Sequence, residues 1–147
     1  MPYKVMDIAR YIIVRCSELG KPVSNLQLQK ILYYIQLNFL RSFGNVAFNE
    51  EIEAWRHGPV VPEVYWEFNI YGRQGIELPS GEINYAGIFR NKDEQELTDS
   101  VIMGCLSITP WELVDRSHKE GGPWDQTYDG TYNKKIPVEI MRKYVNG

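Results

Sequence analysis

The sequence predicts a mainly α-helical fold of about six helices with one small β-hairpin, and three observations carry that expectation. A stretch with a clear cap, a helical period and a clear stop runs from Ser24 to Phe43. The same period returns in several shorter stretches on either side. Only one short region has the character of paired strands.

The stretch from Ser24 is the expected central helix. Ser24-Asn25-Leu26-Gln27 is a capping box, in which the serine oxygen accepts from a first-turn N–H and Gln27 reaches back to the serine N–H. Leu28, Leu32, Ile35 and Phe39 recur at steps of three and four, widened by Ile31 and Leu40, and Gly44 supplies the stop. Gln29, Lys30, Gln36 and Arg41 are expected to face water. Before it, Met6 to Leu19 carries Ile8, Ile12, Cys16 and Leu19 on one face. The intervening Gly20-Lys21-Pro22 is short enough to make the two helices antiparallel neighbours.

After Gly44, Val46-Ala47-Phe48 and Ile52-Glu53-Ala54-Trp55 read as a hairpin around Asn49-Glu50. Arg56 to Pro62 reads as irregular, because Pro59 and Pro62 remove donors and restrict the residues before them. Pro62 opens a helix to about Tyr71 that buries Val61, Val64, Tyr65 and Phe68. Residues 73–91 read as a long loop, with short strands suggested at Ile76–Leu78 and Ile83–Tyr85. From Lys92 the helical period returns on Leu97, Val101 and Cys105. Thr109-Pro110-Trp111-Glu112 then starts a helix with Trp111, Val114 and His118 on one face. Pro123-Trp124-Asp125 opens a single turn. A polar stretch from Asp129 to Lys135 leads to a last helix from Pro137, with Ile136, Ile140 and Tyr144 in register.

A chain of 147 residues without repeats or composition breaks is expected to form one domain, residues 1–147. Its 44% hydrophobic and 24% charged residues place it among soluble globular chains. A net charge of −3 argues against a non-specific nucleic-acid binder, and the first two helices lack a basic recognition face for an autorepressor role. No apolar run is long enough to span a bilayer, and no signal peptide is evident. The expectation is a cytoplasmic protein with no membrane partner. Cys16 and Cys105 fall on apolar stripes and read as reduced core residues.

Chemistry has few candidates. The only two histidines, His57 and His118, lie in segments that resemble each other: Ala54-Trp55-Arg56-His57-Gly58-Pro59 and His118-Lys119-Glu120-Gly121-Gly122-Pro123-Trp124. Each combines an indole with a Gly-Pro step, which suits either a shared binding patch or two structural corners. Neither histidine has a partner at metal-ligand spacing, so no metal or cofactor is expected. A catalytic alternative is a small hydrolase or transferase using His57 or His118 as general base, its tautomer fixed by Asp115 or Glu120. Glu50, Glu51 and Glu53 read as a solvated hairpin edge that could steer a basic partner.

The order of motifs resembles a known family. Leu28-Gln29-Lys30-Ile31-Leu32-Tyr33-Tyr34 comes first. Glu53-Ala54-Trp55-Arg56-His57-Gly58-Pro59-Val60-Val61-Pro62-Glu63-Val64-Tyr65 and Ser117-His118-Lys119-Glu120-Gly121-Gly122-Pro123-Trp124 follow. Together they resemble the Panacea, or SocA-like, antitoxin domain, also described in phage-associated and mobile-element proteins. The resemblance runs from about Met6 to Trp124 and is carried best by the Trp-x-His-Gly-Pro-Val-Val-Pro run. It implies a helical domain with a small β element that is not an enzyme and neutralises a cognate toxin by binding it. In one branch it implies an adaptor delivering the toxin to a Clp-type protease. It supplies no catalytic residues. The expected partner-binding set is Trp55, His57, Gly58, Pro59, Val60, Trp66, Tyr71, His118 and Trp124, with partner choice set by residues 73–91 and 129–147.

Overall fold

The computed structural model describes residues 1–78, 87–131 and 133–147. Its spine is α2, Asn25–Phe43. Ser24 Oγ accepts from the Gln27 N–H at 3.2 Å, and Gln27 Oε1 accepts from the Ser24 N–H at 3.0 Å, so both halves of the expected box form. Gly44 closes the helix at φ 73°, in the left-handed region where glycine carries no Cβ penalty. The helices α1 (Val5–Glu18), α3 (Pro62–Glu67), α4 (Lys92–Leu106), α5 (Pro110–Ser117) and α7 (Val138–Asn146) all pack on α2, and α6 (Pro123–Thr127) packs on α7. The fold is mainly α with a small antiparallel sheet, as the sequence predicts.

The apolar stripe of α2 is buried as expected: Leu28, Ile31, Leu32, Ile35, Phe39 and Leu40 all lie in the core. Its polar side is not what the sequence suggests. Gln29, Lys30 and Gln36 are buried, and only Arg41 of that set is exposed. The reason is the irregular chain packed against the helix, whose backbone groups have no ladder to join and must be paired from elsewhere. Gln36 accepts from the Ala47 and Phe48 N–H groups at 2.8 and 3.3 Å and donates to the Phe48 carbonyl at 2.9 Å. Gln29 accepts from the Val61 N–H at 2.9 Å and donates to Asn25, whose amide donates to the Tyr65 carbonyl at 3.0 Å. Lys30 donates to the Pro59 carbonyl at 3.1 Å.

The hairpin also lies elsewhere. Phe48 forms an isolated parallel bridge with Tyr3 instead of pairing with the Ile52–Trp55 run. The observed hairpin joins β1 (Glu53–Trp55) to β2 (Gly58–Val60) across Arg56 and His57, inside the segment expected to be irregular. Two features admit a proline there. Strand β2 is an edge in the order β2-β1-β3, and Pro59 sits opposite Ala54. That must be a non-hydrogen-bonded pair, since proline has no N–H to exchange; the missing donor points off the edge. The third strand, Lys134–Lys135, is too short and too charged to show alternation in sequence.

Smaller differences follow from packing. The helix expected to reach Tyr71 ends at Glu67, and Asn69–Tyr71 continues as a 3₁₀ turn. Ile76–Leu78 is not a strand, although Ile76 is buried and its N–H donates to the Val23 carbonyl at 2.7 Å; Ile83–Tyr85 lies outside the described residues. In α4 Cys105 of the expected stripe is buried, as is the adjacent Ile102, but Thr98 is buried while Leu97 and Val101 are only partly covered. In α5, Leu113, Val114 and Ser117 are buried while Trp111 is 70% exposed. Both cysteines are free and buried.

Replacing Gln36 with Leu leaves two buried N–H groups and a carbonyl unpaired at the 47–48 corner, with an expected loss of about 2–4 kcal/mol in urea unfolding. Arg41→Gln, on the exposed side of the same helix, is expected to change stability by less than about 0.5 kcal/mol.

Candidate functional site

The two indole–imidazole segments meet. Trp124, carried by α6, donates from Nε1 to the Trp55 carbonyl at the end of β1, at 2.7 Å. Its ring stacks on His118 at 3.9 Å and 13° on one face and on Tyr128 at 4.7 Å and 13° on the other. His118 ends α5, so a single side chain ties α5, α6 and the hairpin together. Nε2 of His118 is enclosed and without a hydrogen-bond partner. Burial and then the nearby Lys30 amine push this histidine below its usual range, with Asp115 and the His57 backbone opposing, so its ring is neutral at physiological pH.

Beneath the hairpin lies Lys30, fully buried, with Ser117 beside it. Both press on Gly58. A Cβ built there would stand 2.5 Å from Lys30 Cε and 2.8 Å from Ser117 Oγ, and φ is +115°. Glycine is required by contact and by conformation. As the middle of β2, Pro59 turns its carbonyl off the sheet edge, where Lys30 takes it. Burial lowers the lysine pKa from 10.5 to about 7.

The expected site residues therefore divide. Gly58, Pro59, Val60 and Trp124 are buried, so they shape the site from within and offer no face to a partner. His118 is partly covered by its stack. His57 is exposed on the hairpin turn and lines a cavity of about 240 Å³ with Arg56, Tyr128 and Thr131. Trp55 is partly exposed and meets Tyr65 edge-on at 4.9 Å; Tyr65 meets Trp66 edge-on at 5.1 Å, and Trp66 is 59% exposed. Ile70, 89% exposed, follows in the 3₁₀ turn. Tyr71 is partly covered, its hydroxyl donating to the Glu77 carbonyl at 2.8 Å.

Sequence reasoning missed Tyr65, which joins the two tryptophans, and Lys30 as the support of the hairpin. The signal for Lys30 was a cation set just before Ile31 and Leu32 on a helix with a wide apolar face. Of the acids expected as a solvated edge, Glu51 is exposed and Glu50 and Glu53 are partly covered, and each makes a polar contact. Glu53 accepts from Trp55 Nε1 at 2.8 Å, Glu50 from the Val5 N–H at 3.2 Å, and Glu51 pairs with Lys135 at 3.0 Å. Among the described residues, no carboxylate hydrogen-bonds to either imidazole. Nor does any group of three or more His, Cys, Asp or Glu there stand ready to hold a metal ion, and no helix is long and apolar enough to cross a membrane.

The site is thus a helical frame whose buried polar side holds a Trp-x-His-Gly-Pro hairpin against a Gly-Gly-Pro-Trp corner. Residues 28–125 match the family described as Antitoxin SocA-like, Panacea domain, and the chain belongs to that family, which gives it an antitoxin role. It is 33% identical over 130 residues to Antitoxin SocA of Caulobacter vibrioides (strain NA1000 / CB15N), covering 84% of this chain and 69% of that protein. No solved structure matches the chain significantly. The matched span contains Lys30, the hairpin and Trp124.

Two outcomes follow from the buried cluster. Between about pH 7 and the unfolded lysine value of 10.5, the unfolded chain holds a proton on Lys30 that the folded chain lacks, so stability rises with pH. The thiols of Cys16 and Cys105, pushed up from 9.0 to about 12 by burial, act in the opposite direction above pH 9, where the unfolded chain loses protons first. Urea unfolding is expected to show a gain of about 2 kcal/mol from pH 7 to 9, and Lys30→Met to flatten it. Gly58→Ala is expected to cost about 2–4 kcal/mol, from the positive φ and the clash with Lys30 and Ser117 together.

Proposed function

We propose that this chain is a non-enzymatic antitoxin that neutralises a co-encoded toxin by direct contact, and that the contact centres on the aromatic ridge of Trp55, Tyr65 and Trp66 with His57 beside it. The observation that carries the reading is that three mutually packed aromatic rings reach the surface on a frame braced from below. Large rings held in place give contact area at low entropic cost, and Trp and Tyr are the residue types that most often anchor interfaces. Ile70, 89% exposed in the turn after α3, adds apolar surface nearby in sequence, and a standard interface buries about 800 Å² on each side. The buried members of the expected set, Gly58, Pro59, Val60 and Trp124, hold the ridge in position.

Catalysis is less well supported. Both thiols are buried and poorly nucleophilic, with pKa values raised to about 12. His118 is stacked against an indole with its Nε2 enclosed, and among the described residues the recess beside His57 is lined by neither a carboxylate nor a cysteine. The family resemblance adds a mode of action to be tested, delivery of the toxin to a Clp-type protease as opposed to simple blocking.

Growth of cells expressing the neighbouring gene, with and without this chain, checks the reading. Trp66→Ala is expected to weaken toxin binding by about 2 kcal/mol or more and to abolish rescue, with its unfolding midpoint nearly unchanged because the ring is mostly exposed. A harmless neighbouring gene, or full rescue by a Trp55→Ala/Trp66→Ala double variant, defeats the proposal. Toxin levels that fall only when the protease is present indicate delivery; steady levels indicate blocking.

A further inference from the structure

On another part of α2 a second site stands out by its charge. The chain as a whole carries a net −3, yet a cavity of about 120 Å³ between α2, α5 and α7 is lined by Arg41, Arg116 and Lys119 and, among the described residues, by no acid. Arg116 is tied to Glu112 at 3.2 Å, but Arg41 and Lys119 have no ion pair among the described residues. Tyr34 and Tyr144 complete the walls, and among the described residues neither hydroxyl has a hydrogen-bond partner. Gly122, in the Gly-Gly-Pro corner, also lines the cavity; a Cβ there would stand 3.1 Å from the Lys119 carbonyl oxygen, which accepts from the Gly122 N–H at 2.9 Å, so the backbone turns tightly at this wall.

We infer that this cavity is a receptor for a single carboxylate presented by an acidic segment of the partner polypeptide. Three cations and two phenol donors around a space of this size fit one anionic oxygen group, and arginine is suited to binding a carboxylate through two parallel N–H groups. A nucleic-acid backbone fits poorly. The cavity opens into a wider groove that shares Tyr34, Arg116, Lys119 and Tyr144 but adds Glu112 and Asp115, which repel a chain of closely spaced phosphates. A polypeptide with one acidic side chain directed inward avoids that repulsion. That the partner is a polypeptide rests on the antitoxin reading; that the site takes a carboxylate does not.

The test is an NMR titration of the ¹⁵N-labelled full chain with a blocked peptide, Ala-Glu-Ala-Glu-Ala, its Gln counterpart and inorganic phosphate. The Glu peptide is expected to give saturable shifts at the backbone amides of Lys119, Gly122 and Tyr144, and the Gln peptide none. Arg41→Gln/Lys119→Gln, both exposed positions, is expected to weaken the Glu peptide at least tenfold while leaving resonances elsewhere in place. No saturable shift, equal affinity in the double variant, or saturation by phosphate without saturation by the Glu peptide overturns the inference. The titration needs no toxin, so its failure in a chain that still rescues growth removes this site alone.

Discussion

The bond from Lys30 to the Pro59 carbonyl is the contact on which the arrangement of the site depends. An ammonium group in a fully buried position is costly, and burial answers by moving the amine toward neutrality. What the cost secures is position. Strand β2 is an edge with a proline at its centre, so its outward carbonyl has neither a neighbouring strand nor water to bond. A methionine or leucine at position 30 would fill the space and leave that carbonyl unpaired. Lysine can cross the gap from the helix because its long stem packs along Gly58, where no Cβ intervenes.

The same logic repeats along α2. Asn25, Gln29, Lys30 and Gln36 each serve backbone that no regular ladder serves, from the 47–48 corner through the hairpin to α3. A helix with both an apolar stripe and a buried amide row can therefore organise irregular chain as firmly as a sheet would. Trp124 closes the assembly from the opposite side, bonded to the end of β1 and held between two rings. The hairpin is fixed at its edge by Lys30 and at its inner strand by Trp124, which leaves its turn and the neighbouring aromatic ridge as a surface carried on a rigid base.

Much of this was legible in the sequence and some was not, for identifiable reasons. The bounds of α2 could be read because Ser24, Gln27 and Gly44 act through local geometry alone. Thr109 and Pro110 marked α5 in the same way. The burial of Gln29, Lys30 and Gln36 could not be read, since a polar residue on a helix looks the same whether its partner is water or a distant carbonyl. Strand β2 was hidden because Pro59 argues against a strand wherever its donor would be needed, and only the pairing shows that it is not. At the site, the motifs named residues that the fold brings together, such as Trp55 and Trp124, but could not tell which are buried and which reach solvent. Trp55 and Trp124 look equivalent in sequence; one reaches solvent and the other is buried.

That division bears on how one scaffold can serve an antitoxin role against a particular partner. The residues by which this chain resembles its family, from Lys30 through the Gly-Pro hairpin to the Gly-Gly-Pro-Trp corner, are mostly internal, and what they determine is a shape. The groups that reach solvent around that shape, among them Trp66, Ile70, His57, Arg41 and Lys119, lie outside the buried frame and are free to change without cost to it. Affinity for one toxin over another is a difference between contacts, and contacts are made by the outer layer. The buried part of the motifs therefore accounts for the shape of the domain, and the choice of partner has to be sought in the side chains that reach solvent, whether they lie within the motifs, as His57 and Lys119 do, or outside them, as Trp66 and Ile70 do.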